Sequence, residues 1–129
     1  MSLPLPSTLL RHAAPALLLA TIETFDRDRI HCTSPSRSAW EWPEMLEAAA
    51  QAAGLLAGLQ DEAFDANLLI AEYRDVRIHA ARHAGALALF ATLDRKVLHF
   101  RRCRVEVRAA DGGPLLDGLV TLAPGADHP

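Results

Sequence analysis

Between residues 44 and 59 the apolar positions recur at helical spacing. Leu46, Ala49, Ala50, Ala53, Leu56 and Ala57 fall on one face of a 3.6-residue period. Pro43 stands where the first turn of a helix tolerates proline, and Glu44 and Glu47 suit the positive end of a helix dipole. The abundance of alanine lets something wide and flat, such as a sheet, come close to this helix. Elsewhere the pattern changes to alternation and to short apolar runs bounded by turn residues. Residues 17–25 and 29–33 read as strands joined by an Asp26-Arg27-Asp28 turn, and 34–38 as a loop by composition. Residues 68–71, 76–80, 86–93, 97–107 and 115–122 read as further strands. Within 97–107, Leu98 and Phe100 keep one phase while Cys103, Val105 and Val107 keep the other, which predicts a bulge near Arg101-Arg102. The 86–93 strand is apolar on both faces, so one face awaits the helix and the other a second subunit.

Composition narrows this to one domain spanning residues 1–129. Half the residues are hydrophobic but only 5% are aromatic, so the core is aliphatic and disorder is excluded. Thirteen basic against 16 acidic residues, evenly spread, leave a net charge of −3, which argues against a nucleic-acid or membrane-surface footprint. Cys32 and Cys103 are too few for a disulfide scaffold or a four-cysteine zinc site, and read as reduced thiols of a cytoplasmic protein. The longest apolar run, residues 13–20, is too short to span a bilayer, and no export signal or membrane span is expected. Two strands, one alanine-rich helix and then strands of antiparallel type predict an α+β domain. A curved antiparallel sheet wrapped around one long central helix is the hotdog fold.

The local sequence also resembles a family. Leu10-Arg11-His12-Ala13-Ala14-Pro15-Ala16-Leu17-Leu18-Leu19 is similar to the Leu-Pro-His-x-x-Pro-x-Leu-Leu segment of 3-hydroxyacyl-acyl-carrier-protein dehydratases of the FabZ/FabA type. Glu47-Ala48-Ala49-Ala50-Gln51-Ala52-Ala53-Gly54 looks like their central-helix signature, Glu-x-x-Ala-Gln-x-x-Gly. Arg74-Asp75-Val76-Arg77-Ile78 and Gly85-Ala86-Leu87 fall where that family has a strand, a turn and the next strand. The resemblance runs nearly the whole length of the chain, and points to the divergent dehydratase-like proteins of aryl-polyene or pigment gene clusters.

The resemblance implies dehydration of a 3-hydroxyacyl thioester carried on the phosphopantetheine of acyl carrier protein or coenzyme A, with no other cofactor. It also implies a homodimer, or a heterodimer with a related dehydratase, in fatty-acid or polyene-type biosynthesis. In such enzymes a histidine near the second strand takes the α-proton, a helix carboxylate of the neighbouring subunit handles the hydroxyl, and amides at the helix N-terminus polarise the carbonyl. The family's Gly-His-Phe-Pro-Gly loop is absent. At family spacing its histidine falls on Thr33 and its oxyanion glycine on Trp42, and of the following residues only Pro35 matches.

Glu47 is thus the carried-over catalytic residue, and a carboxylate among alanines on a core helix is a candidate for partial burial and a perturbed pKa. His31, two residues before Thr33 on one strand face, is the substitute histidine, against the plainer reading of a surface strand residue. Gln51 shares the Glu47 face. Trp40 and Trp42 are substrate-wall candidates, with core packing as the alternative. Glu41 and Glu44 read as solvated. His79 falls on a polar strand face, His83 in a turn, and no histidine has a neighbour at metal-ligand spacing. Arg95, Lys96, Arg101, Arg102, Arg104 and Arg108 can guide an acidic carrier protein, or form an ordinary solvent face. Besides a dehydratase with altered machinery, a thioesterase using Glu47 and a non-catalytic acyl-binding or heterodimer subunit remain open.

Overall fold

A computed structural model describes residues 17–60 and 68–124. Its elements are β1 (Thr21–Asp26), β2 (Arg29–Thr33), β3 (Arg37–Glu41), α1 (Trp42–Gln60), β4 (Leu68–Ile78), β5 (Arg82–Gly85), β6 (Leu87–Val97), β7 (Phe100–Ala109) and β8 (Pro114–Pro124). Six strands form one sheet in the order β1-β2-β6-β7-β8-β4, every neighbouring pair antiparallel, while β3 and β5 form a separate two-stranded ladder. Period-two alternation sorts the sheet into faces. Ile30, Cys32, Leu87, Leu89, Ala91, Cys103, Val105, Val107, Leu116, Val120 and Leu122 are buried together with α1. Their strand neighbours Arg29, His31, Phe90, Arg104, Glu106 and Asp117 take the opposite, outer face. Six buried alanines on α1 carry no side chain beyond Cβ, which lets the helix lie close to the curved sheet.

Between Met45 and Ala57, Glu47 is the one residue of α1 that is not buried. The helix is therefore enclosed far beyond the single face its spacing predicted. Its start is held by a capping-box contact, in which Glu44 Oε1 accepts from the Glu41 N–H at 3.0 Å. Glu44 also pairs with Arg37 at 2.9 Å, and Glu41 with Arg82 at 2.8 Å, and both carboxylate side chains keep the solvent access expected, 42% and 46% exposed.

Several boundaries move for identifiable reasons. Segment 34–38 is not all loop, because Arg37 opens β3, whose partner β5 carries His83 in a strand rather than a turn. The two strands expected at 68–71 and 76–80 are one strand, β4, interrupted by two register shifts. At the second shift Asp75 adopts φ +53° and Val76 packs over Gly118, where an added Cβ would lie 3.1 Å from Val76 Cγ2. A bulge disrupts alternation, and so hides a continuous strand from its pattern. The bulge expected at Arg101-Arg102 lies instead on the partner strand β6, between Leu93 and Arg95, while β7 alternates regularly through Arg101, Cys103, Val105 and Val107. Leu98 and Phe100 are out of phase because they belong to the β6–β7 turn and its exposed flank. The first strand begins at Thr21, with Leu18 and Leu19 ahead of it already in the core.

The outer face of β6 carries Phe90, which is partly buried. The His31 ring stacks on Phe90 with centroids 4.3 Å apart, and the Arg29 and Arg108 guanidinium groups lie over the same ring at 5.5 and 5.8 Å.

Candidate active site at the helix and the edge strand

Glu47 projects from α1 one turn after its start, only partly buried between buried Leu46 and Ala48. It forms no hydrogen bond or ion pair with any described residue, histidines included. Its electrostatic neighbour is Tyr73 on β4. Burial first, and the Glu47 charge second, push the Tyr73 phenol up to about 12. Tyr73 is therefore a neutral hydrogen-bond donor throughout the physiological range, within the electrostatic reach of the Glu47 carboxylate. Both stand at the end of the sheet where β4 has no further strand neighbour among the described residues. Ile70, Tyr73 and Ile78 of that strand are exposed, as is Trp42 on the helix.

The other expected site residues lie elsewhere. His31 is on the outer face, opposite the helix, so the structure does not bring it to Glu47 within one chain. Its Nε2 is buried without a hydrogen-bond partner, and burial lowers its pKa against the opposing charge of Glu23. Gln51 is buried and accepts the Leu18 N–H at 2.9 Å through Oε1, so it ties the helix to the chain leading into β1. Trp40 is fully buried and donates from Nε1 to the Gly85 carbonyl at 2.9 Å; the φ of +112° at Gly85 favours a glycine there. Trp42 is partly exposed, but its backbone N–H already donates to the Ala81 carbonyl at 2.9 Å. Pro43 has no N–H, so the first turn offers an oxyanion only the amides that follow. Thr33 forms a short contact with Thr21, whose hydroxyl in turn donates to Glu23 at 2.7 Å. Residues 10–16, with His12, and also His128 lie outside the described residues. Tyr73 was missed because the β4 bulges obscure which face it takes; its being the only tyrosine in the chain was the available signal.

Among the described residues no group of three His, Cys, Asp or Glu stands close enough to hold a metal ion. No described helix is long and apolar enough to cross a membrane.

No family model matches the sequence, and no curated protein matches it. Solved structures do match the fold. A chain of the dehydratase heterocomplex ApeI:P from Xenorhabdus doucetiae superposes with a TM-score of 0.85 at 17% identity, covering 97% of this chain and 93% of that one. The fold is the hotdog fold. A thioesterase from Pseudomonas aeruginosa is similar with a TM-score of 0.67 at 13% identity, over 80% of this chain and 78% of its own. A hypothetical thioesterase with coenzyme A from Streptococcus pneumoniae reaches 0.66 at 10% identity, over 84% and 87%. At these identities the likeness concerns architecture, and hotdog proteins of this shape include both a dehydratase assembly and thioesterases.

Proposed function

We propose that this chain is a dehydratase-type hotdog subunit that acts on a 3-hydroxyacyl thioester, with Glu47 as its proton-transfer group and a related hotdog chain as its partner. One observation carries the reading: along a helix otherwise buried from Met45 to Ala57, the one residue left accessible is a carboxylate with no hydrogen-bond or ion-pair partner among the described residues. In the reaction the α-carbon gives its proton to the Glu47 carboxylate and the thioester becomes an enolate. The enolate expels the β-hydroxyl, which leaves as water with the proton returned by Glu47, and the carbon–carbon double bond forms. Tyr73, within the electrostatic reach of that carboxylate, would donate a hydrogen bond to the substrate. Pairing is supported by the β4 edge, which has no further strand neighbour among the described residues and carries exposed Ile70, Tyr73 and Ile78, and by the similarity to a dehydratase heterocomplex. His31 faces away, so it would not serve this site within the same chain. The thioester arm would be acyl carrier protein or coenzyme A.

The test is loss of water from 3-hydroxyacyl thioesters by the chain alone and with a related dehydratase. Glu47→Gln should lower turnover by about 100-fold or more. Full activity in that variant, or no turnover in either setting, refutes the reading.

The isolation of Glu47 from every described histidine favours a second reading, thioester hydrolysis. There the carboxylate takes a proton from the water attacking the carbonyl, and returns it to the departing thiolate as the C–S bond breaks. Release of free thiol from acyl-coenzyme A, abolished in Glu47→Gln, separates this from dehydration.

A further inference from the structure

The long β6–β7 hairpin ends in an apolar tip. Val97 and Phe100 form its last cross-strand pair, 48% and 44% exposed, and Leu98 in the two-residue turn is 87% exposed. Leu98 has φ +52°, a conformation that glycine and asparagine accept readily and leucine adopts only at a conformational cost. Arg101, buried behind the turn, donates from Nη1 to the carbonyls of Phe100 at 3.1 Å and Leu98 at 3.3 Å, and so braces the turn in that shape. Next to the tip stand exposed Arg95 and Lys96, with Arg104 further along the outer face. None of the three has an ion pair among the described residues, whereas Arg102 is held by Asp94 at 2.8 Å. Between residues 94 and 104 the chain carries five basic side chains and one acidic, although its net charge is −3.

We propose that this tip is a docking site for an anionic bilayer surface. Val97, Leu98 and Phe100 enter the boundary between headgroups and acyl chains, and Arg95 and Lys96 meet the anionic headgroups. Shape and charge choose this occupant. A protein that covered the tip would need a concave apolar receptor with an acidic rim. A bilayer interface takes up a convex apolar tip as it stands and places the basic residues behind it at headgroup level. The chain-wide charge balance conceals the site, because acidic residues elsewhere cancel the local excess. The proposal holds whichever thioester reaction Glu47 serves.

The experiment is co-sedimentation of the full chain with phosphatidylcholine vesicles, with and without phosphatidylglycerol, at low and physiological salt. Binding is expected only to the vesicles containing phosphatidylglycerol, and should weaken with salt. It should fall about tenfold in Leu98→Asp and in Arg95→Glu/Lys96→Glu. Leu98→Gly separates binding from folding, since it relieves the backbone strain while removing the apolar side chain. That variant should lose binding with an unchanged or raised Tm. Wild type left in the supernatant, equal binding to neutral vesicles, or retained binding in the variants overturns the proposal. So does a tip that engages an acidic carrier protein while ignoring vesicles.

Discussion

The carboxylate of Glu47 on the helix acts on the phenol of Tyr73 on the edge strand, and with burial as the larger cause it holds that phenol near 12. Because Tyr73 is the only tyrosine in the chain, its tyrosinate absorbance reports this pair alone. Glu47→Gln removes the negative charge, so the Tyr73 pKa should fall towards its ordinary value without reaching it, burial being retained. The same variant should change stability by less than about 1 kcal/mol, since no described hydrogen bond or ion pair is lost. Spectrophotometric pH titration and a thermal melt check both outcomes, and an unmoved Tyr73 titration would separate the two groups.

Both cysteines should be silent towards thiol reagents at neutral pH until the chain unfolds. Burial, aided by Glu23 for Cys32 and by Asp94 for Cys103, raises each thiol from 9.0 to about 12, with Arg101 opposing at Cys103. The stability consequence has a definite sign. Below pH 9 both states keep the thiol protons and nothing is lost. From 9 to 12 the unfolded chain releases protons that the folded chain retains, so stability falls as pH rises, with Tyr73 adding to the slope above 10. Denaturant midpoints measured from pH 8 upward should therefore decline, and less steeply in Cys103→Ala.

At the acid end the sign reverses through Asp117. Burial alone would raise this carboxyl, but hydrogen bonds from His79 at 2.8 Å and Arg77 at 2.9 Å, with their charges, bring it below its ordinary value. Stability from this cluster is present above the ordinary carboxylate pKa and disappears as pH falls through the lowered one. Asp117→Asn should lower Tm at neutral pH and flatten the decline of Tm under acid, both measurable by calorimetry.

Gly118→Ala should destabilise the fold by about 1–3 kcal/mol. The new Cβ would meet Val76 Cα at 3.2 Å as well as its Cγ2, and backbone yields less readily than a side-chain tip. Chemical denaturation measures the loss. A neutral result would mean that the β4 bulge shifts freely.

The helix, the antiparallel character and the α+β class were legible because they rest on local periodicity and on breaker residues such as Pro43 and Gly112. Strand 29–33 matched β2 end for end for the same reason. The β3–β5 ladder was not legible, since Arg37–Glu41 and Arg82–Gly85 are polar, short and remote in sequence, and they pair around one buried tryptophan. The candidate site divides likewise. Glu47 stood out as a carboxylate in an alanine run, while Trp40 and Gln51 carry the same residue types whether they line a site or fill a core.

By itself the sequence determined an aliphatic, alanine-rich composition with a helix suited to close packing, because side-chain size and period are properties of the chain alone. Only the tertiary structure decided which groups meet. It turned His31 to the outer face against Phe90, engaged the Trp42 amide with Ala81, and brought Tyr73 under the electrostatic influence of Glu47. A one-residue change of register sends a side chain to the other face of a sheet. Strand register and bulges are settled by contacts between distant segments, so the site's composition follows from the fold and not from spacing along the chain.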